Sequence, residues 1–166
     1  EKHAGKKLQF FDPEENKNYV PYVLETSIGL DRMFLAVFSN SLKNEELENN
    51  STRTVLKLPA VLAPTKAAIL PLVKKDGLPE IAKEIFQELQ WEFNVAYDEK
   101  DAVGRRYRRQ DAIGTPFCIT IDHQTIEDNS VTVRYRDSMK QERVAVKNLK
   151  TLIGDHVSMK NWLKNC

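Results

Sequence analysis

Residues 25–32, Glu-Thr-Ser-Ile-Gly-Leu-Asp-Arg, gather a carboxylate, a hydroxyl, a glycine and a guanidinium in one short run. At a strand end that leads into a helix, such a set can bind a small zwitterion and a phosphate together. Glu25 would pair with an ammonium group, Ser27 would hydrogen-bond, and Gly29 would let backbone lie close to a ligand. Arg32 would fork onto phosphate oxygens. The same residues also read as a plain helix start, with Ser27 as the cap and Arg32 as a surface charge.

A second run is basic. Lys100, Arg105, Arg106, Arg108 and Arg109 crowd one stretch of a nearly neutral chain. At helical spacing Arg105, Arg108, Arg109 and Ala112 share a face, and Val103, Tyr107 and Gln110 lie on another. One face could hold phosphates while the other packs on a sheet. Arginine also stacks on unpaired bases, which suits a splayed loop better than a duplex. The alternative is a solvated helix whose arginines pair with Asp98, Glu99 or Asp111. Trp91 and Phe93 could offer stacking surfaces, although core burial is the expectation for both.

Few other residues suggest chemistry. His3, His123 and His156 are scattered, His123 in an expected turn, and none has a neighbour that would make it a general base. Cys118 lies between Phe117 and Ile119 and reads as a buried thiol, and Cys166 ends the chain. Neither has the spacing of a zinc site. This cysteine usage fits a reducing compartment, so the cytoplasm is expected.

The elements that must position these groups follow from periodicity. Tyr19–Glu25 is rich in β-formers and reads as a strand, weakened by Pro21. Gly29–Leu42 reads as a helix, with Leu30, Met33, Phe34, Val37, Phe38 and Leu42 at helical spacing. Lys43–Thr54 is the most polar stretch, and residues 48–56 are taken as a linker. Val61–Ala63 and Ala67–Leu72 read as strands, the second nearly all apolar and so expected in a parallel core. A helix is expected from Pro79 to about Leu89, then a strand over Phe93–Tyr97. Asp101 could cap the next helix, which stops at Gly114. Phe117–Ile121, Val131–Arg136 and Arg143–Val146 read as strands, with Asp128-Asn129 as turn residues. Asn148 could cap a final helix that Gly154-Asp155 divides. The alternation of strand and helix, followed by a hairpin, implies a three-layer α/β fold with a mixed sheet.

Composition bounds the whole. The chain has 166 residues, 41% hydrophobic and 30% charged, which excludes a disordered or low-complexity protein. A chain of this length buries roughly 70% of its unfolded surface and needs no disulfide or metal to hold a core. Mean hydropathy is −0.50 and no apolar run approaches a membrane span. Lys plus Arg number 25 against 24 Asp plus Glu, so any basic patch must be local.

Tyr19 to Arg32 (YVPYVLETSIGLDR), preceded by Lys7-Leu8-Gln9-Phe10-Phe11-Asp12-Pro13, closely resembles motif 3 of the class II glycine–tRNA ligases. Leu62 to Leu72 (LAPTKAAILPL) and Gly104 to Cys118 (GRRYRRQDAIGTPFC) resemble the anticodon-binding domain of the same family. The resemblance covers nearly the whole chain, in the family's order. Ser27 takes the place of a glycine in the broader class II pattern, and Thr26 that of a frequent proline.

The resemblance implies a C-terminal fragment of such a ligase. Residues 1–47 would be the end of the catalytic domain, 48–56 the linker, and 57–166 a three-layer anticodon-binding domain with a mixed, mostly parallel sheet. Glu25 and Ser27 match the pair that recognises the glycine amino group, and Arg32 and Gly29 match the ATP-binding positions of motif 3. Lys100, Glu99, Arg105, Arg108 and Arg109 become the expected contacts to glycine tRNA. Glycine anticodons end in two cytosines, whose N4 amino groups call for carboxylate acceptors. Asp98, Glu99, Asp101 and Asp111 are the candidates, Asp111 also reading as a structural partner within its helix. The parent enzyme, expected to be a homodimer, would use ATP and Mg²⁺ to attach glycine to its tRNA. No cofactor is expected to bind this chain tightly. Nothing resembles motifs 1 and 2, so no activity is expected from the chain alone. A different reading is a non-catalytic relative that serves as an accessory subunit of a mitochondrial DNA polymerase. Intact Glu25, Ser27, Gly29 and Arg32 argue against it.

Overall fold

The computed structural model describes residues 2–47 and 51–164. The chain divides into two compact units, Glu1–Met33 and Phe34–Cys166.

In the first unit β1 (Phe10–Asp12) pairs antiparallel with β2 (Lys17–Tyr19). Asp12 holds the turn by accepting from the Glu14 and Glu15 amides at 2.9 and 3.3 Å. The Phe10 and Tyr19 rings meet edge to face at 5.8 Å. The strand expected over Tyr19–Glu25 does not form beyond Tyr19, and Tyr22 and Leu24 are fully exposed. A strand exists only where its backbone groups are paired. Among the described residues nothing pairs with this segment, and Pro21 has no N–H to offer. Helix α1 (Leu30–Ser41) then begins, with the Met33 amide donating to Gly29 O at 3.0 Å.

In the second unit the end of α1 runs directly into β3 (Leu42–Glu46), which pairs antiparallel with β4 (Thr52–Leu56). Residues 52–56, expected in a linker, are therefore strand. Their alternation explains it: Arg53 and Val55 point inward and are buried, whereas Thr52 and Thr54 face water. The Lys57 amide closes the junction by donating to Ser41 O at 2.7 Å. Val61–Ala63 forms a turn rather than a strand, with the Leu62 amide bonded to Pro59 O at 2.8 Å. Prolines 59 and 64 bracket it and remove ladder donors.

Five strands make the central sheet: β5 (Ala67–Pro71), β6 (Val95–Tyr97), β7 (Phe117–Ile121), β8 (Ser130–Tyr135) and β9 (Gln141–Ala145). Their order is β6-β5-β7-β8-β9. The β5–β6 and β5–β7 pairs are parallel, whereas β7–β8 and β8–β9 are antiparallel. All strands but β8 thus run the same way, as the mixed, mostly parallel expectation had it. Side-chain alternation divides each strand between two faces. Ala67, Ile69, Phe117, Ile119, Ile121, Val131 and Val133 meet α2 (Leu78–Leu89) and α5 (Leu149–Val157) in the main apolar core. Ala68, Leu70 and Cys118 face the other way, toward Tyr107 of α3 (Val103–Ile113). The β3–β4 hairpin packs against α3.

Three helix boundaries differ from expectation. Asp101 does not cap α3. Ala102 occupies that position without a side-chain bond, and Asp101 has a left-handed backbone (φ 71°) with its carboxylate on Arg109. The segment between β7 and β8 contains a short helix, α4 (His123–Asp128), where only a turn was expected. Asp122 caps it through the Thr125 amide, and Asn129 ends it in a left-handed conformation. The last helix breaks at Ser158, not at Gly154-Asp155, and continues as α6 (Met159–Lys164). Gly154 sits mid-helix, where a Cβ would stand 3.7 Å from the Phe93 ring. Asn148 occupies the α5 cap position without a side-chain bond.

Candidate nucleic-acid interface

The C-terminal ends of parallel strands are where open α/β sheets present their ligand-binding loops. Here β5 leads into Leu72–Gly77, β6 into Asp98–Ala102, and β7 into Asp122 and α4. Arg106, fully buried on α3, ties the first two ends together. Its guanidinium donates to Pro71 O at 2.6 Å, Leu72 O at 3.2 Å and Asp98 O at 3.1 Å.

On this frame the expected RNA-contacting residues separate. Glu99 is half-buried and oriented, because the Tyr97 hydroxyl donates to its Oε2 at 2.6 Å. The Lys74 ammonium lies 3.7 Å from Oε1. The Tyr97 hydrogen bond, with Lys74 and Lys83 nearby, holds the Glu99 carboxyl below its ordinary range. Burial and the same carboxylate push Tyr97 well above its ordinary value, so Tyr97 remains a donor. Lys100, Arg105 and Arg108 are exposed, Arg108 lying 3.7 Å from the Asp111 carboxylate. Arg109 is tied down. Its guanidinium bonds Asp101 at 2.8 Å, Asp98 at 2.7 Å and Lys100 O at 2.6 Å. Burial opposes the ionisation of Asp98, yet Arg109 and the Lys100 amide keep its pKa lowered.

Of the four carboxylates considered as acceptors for cytosine, Asp98 and Asp101 are thus engaged by Arg109, and Asp111 is fully buried. Arg134 grips Asp111 with two bonds of 2.8 and 3.0 Å, and Arg53 adds a third at 3.1 Å. Of the four, Glu99 is the one held by a hydroxyl, that of Tyr97, rather than by an arginine. Trp91, expected in the core, is 85% exposed. It lies in the turn that ends α2, and only its neighbour Phe93 packs on the core. Cys118 is buried as expected, and burial pushes its thiol up to about 12. Cys166 lies outside the described residues. His123 bonds Asp76 at 3.0 Å, linking the loops after β7 and β5.

Sequence reasoning missed Lys74 and Arg143 at this end of the sheet. Arg143 bonds Asp122 at 2.6 Å and the Thr132 hydroxyl at 3.1 Å. Lys74 had a signal, as one of two adjacent lysines just after the apolar strand β5. Arg143 had none, because its placement depends on pairing opposite Thr132.

In the first unit Glu25, Ser27, Gly29 and Arg32 are all exposed. The Ser27 hydroxyl donates to Glu25 at 3.2 Å. Arg32 folds back along the helix start, its side chain 3.7 Å from where a Cβ on Gly29 would stand. Among the described residues no group of three or more His, Cys, Asp or Glu could hold a metal ion, and no helix is long and apolar enough to cross a membrane.

Residues 66–156, more than half of the chain, match the anticodon binding domain family. The chain belongs to that family. It is also similar to a glycine–tRNA ligase of Clostridium tetani, 50% identical over 155 residues that cover 93% of this chain and 33% of that protein. The anticodon-binding family member therefore spans about a third of the length of the ligase it matches, as a fragment of such an enzyme does. Among solved structures it resembles the RNA binding domain of threonyl-tRNA synthetase from Cryptosporidium parvum Iowa II. The TM-score is 0.55 and the identity 25%, over 60% of this chain and 25% of that one. It shares its fold with prolyl-tRNA synthetase from Cryptosporidium parvum, with TM-score 0.57 and 18% identity over 74% of this chain and 32% of the other. These relatives are ligases or their domains, and they lend no support to a polymerase accessory subunit.

Proposed function

We propose that this chain binds the anticodon arm of glycine tRNA as part of a glycine–tRNA ligase, in the cytoplasm. The observation that carries the reading is the end of the sheet where the Tyr97 hydroxyl orients Glu99 beside Lys74, in a member of the anticodon-binding family. A carboxylate there accepts from a cytosine N4 amino group. Flanking cations contact the backbone on either side of the splayed base. Arg109, although expected among the tRNA contacts, shapes the loop through Asp98 and Asp101 instead. Arg108 is left for phosphate, beside the rim of Asp111.

The first unit would carry the other half of the work. Glu25 and Ser27 would receive the glycine ammonium group, and Gly29 and Arg32 the ATP phosphates, as one wall of an active site completed elsewhere in the parent enzyme. That enzyme, a homodimer on this reading, would take ATP with Mg²⁺ and glycine as substrates. Positioning both reactants supplies much of the rate of such a reaction, so the chain by itself is inactive. The catalytic remnant on this reading lies before the β3–β4 hairpin, which packs on α3 of the anticodon-binding domain.

The test is a titration of this chain with labelled glycine tRNA at one stated salt concentration, beside the same tRNA with both anticodon cytosines replaced. The unaltered tRNA should bind more tightly by about 1 kcal/mol or more per base, and Glu99→Gln should shrink that difference. Equal binding of both tRNAs would overturn the reading.

A further inference from the structure

The face of the sheet that meets α3 and the hairpin contains a set of buried charges, tied outward to Glu45 and to exposed Asp137. Arg53 of β4, Asp111 of α3, and Arg134 and Arg136 at the end of β8 are each no more than 4% exposed. Arg53 donates to Asp111 at 3.1 Å and to Arg136 O at 2.9 Å, and its Nε reaches Glu45 of β3 at 2.7 Å. Arg136 donates to Leu56 O and Gly114 O at 3.0 and 2.9 Å, and to Leu58 O at 2.7 Å. The Arg53 bonds to Asp111 and to Arg136 O, and the Arg136 bond to Leu56 O, fasten the hairpin to α3 and to the end of β8, whereas the Glu45 bond braces β4 against β3 within the hairpin. Apolar burial also contributes here, through Ala68, Leu70 and Cys118 of the sheet and Val55 and Leu56 of the hairpin, but it does not set an exact position as paired charges do. Buried ion pairs are poor sources of stability but strict about geometry, since a shift leaves charges unpaired in a dry site. The hairpin is the direct continuation of α1, whose last carbonyl is held by Lys57.

We propose that the Arg53–Asp111–Arg134–Arg136 cluster is a positioning joint. It locks the hairpin, and with it the end of α1, at one fixed setting on the anticodon-binding domain, so that an anticodon held at the sheet end is presented correctly to the rest of the ligase. This rests on the anticodon-binding reading above. The four residues touch neither tRNA nor the reacting atoms; they act through the hairpin.

Two measurements test it. In this chain, hydrogen exchange should show the amides of β3 and β4 exchanging at least about tenfold faster in Asp111→Asn, with those of β5 and β7 unchanged. Uniform acceleration, or none, would overturn the joint. In the full-length ligase, Asp111→Asn should lower kcat for charging tRNA by roughly tenfold or more, because small misplacements of a bound reactant cost rates of that order. Glycine-dependent pyrophosphate exchange and the anticodon preference in binding should stay as in the wild type. A parallel fall in charging and exchange, or unchanged charging, would overturn the proposal. Asp111→Asn leaves guanidiniums short of a carboxylate and can unfold the domain. Arg53→Lys, which keeps the charge and loses the fork, is the second variant and should show the same split more weakly. If the wild-type ligase itself shows no anticodon preference, the functional reading fails, whereas the exchange measurement still decides the joint.

Discussion

On the side of β7 that meets α2 and α5, the inward residues are Phe117, Ile119 and Ile121; on the side that meets α3 they are Cys118 and Thr120. Strand β8 continues the contrast, with Val131 and Val133 on one face and Thr132 and Arg134 on the other. The first face is close-packed hydrocarbon. The second is a hydrogen-bonded polar layer: the Tyr107 and Thr120 hydroxyls lie 2.6 Å apart, and the Arg134 guanidinium sits 4.8 Å from the centre of the Tyr107 ring. Apolar packing is non-directional and tolerates small changes, whereas a buried charge tolerates no loss of its partner. The same sheet thus anchors two helices by area and a third helix with its hairpin by specific bonds.

The sharpest way to break this comparison is to remove the hub of the polar face. Asp111→Ala should cost about 3–5 kcal/mol, because breaking a buried pair leaves uncompensated guanidiniums. Urea unfolding measures it, and a loss below about 1 kcal/mol would mean that water or rearrangement satisfies the arginines.

The matching change on the apolar face is Ile119→Val, one methylene from a fully buried side chain. It should cost about 0.5–1.5 kcal/mol by the same urea method. A cost equal to that of Asp111→Ala would erase the distinction between the faces.

The smallest effect lies at the solvent-accessible rim of the polar face, where Arg143 holds Asp122. Burial opposes the ionisation of Asp122, but Arg143 and the Thr125 groups lower its pKa. A carboxylate depressed on folding contributes stability above its unfolded pKa of about 4, and loses it as the pH falls through the folded value. Arg143→Ala should therefore destabilise the protein at pH 7 by under about 1 kcal/mol, as partly exposed pairs do. The gap in melting temperature between variant and wild type should close in more acidic solution. A gap independent of pH would assign Arg143 a packing role instead.

Much of the central sheet was legible because its residues speak locally. Ala67–Pro71 is an apolar run bounded by prolines and lysines, the α2 pattern repeats at helical spacing, and Gly114 adopts the left-handed conformation (φ 85°) that its place after α3 predicted. The family resemblance was equally local, carried by unbroken runs of sequence. The failures share a cause. Tyr19–Glu25 has strand residues without a paired neighbour, and residues 52–56 belong to a polar stretch whose Arg53 finds its buried partners only in the fold.

Sequence alone determined the run β5-α2-β6-α3-β7-β8-β9-α5, the alternation that gives those strands two faces, and the family. Tertiary structure decided which charges are free. Arg105, Arg106, Arg108 and Arg109 are nearly indistinguishable in the sequence, yet Arg106 is buried on three carbonyls, Arg109 is clamped by two aspartates, and Arg105 and Arg108 face water. A guanidinium favours water unless buried partners offset its desolvation. Segments distant in sequence supply the partners, and their arrival is a property of the fold.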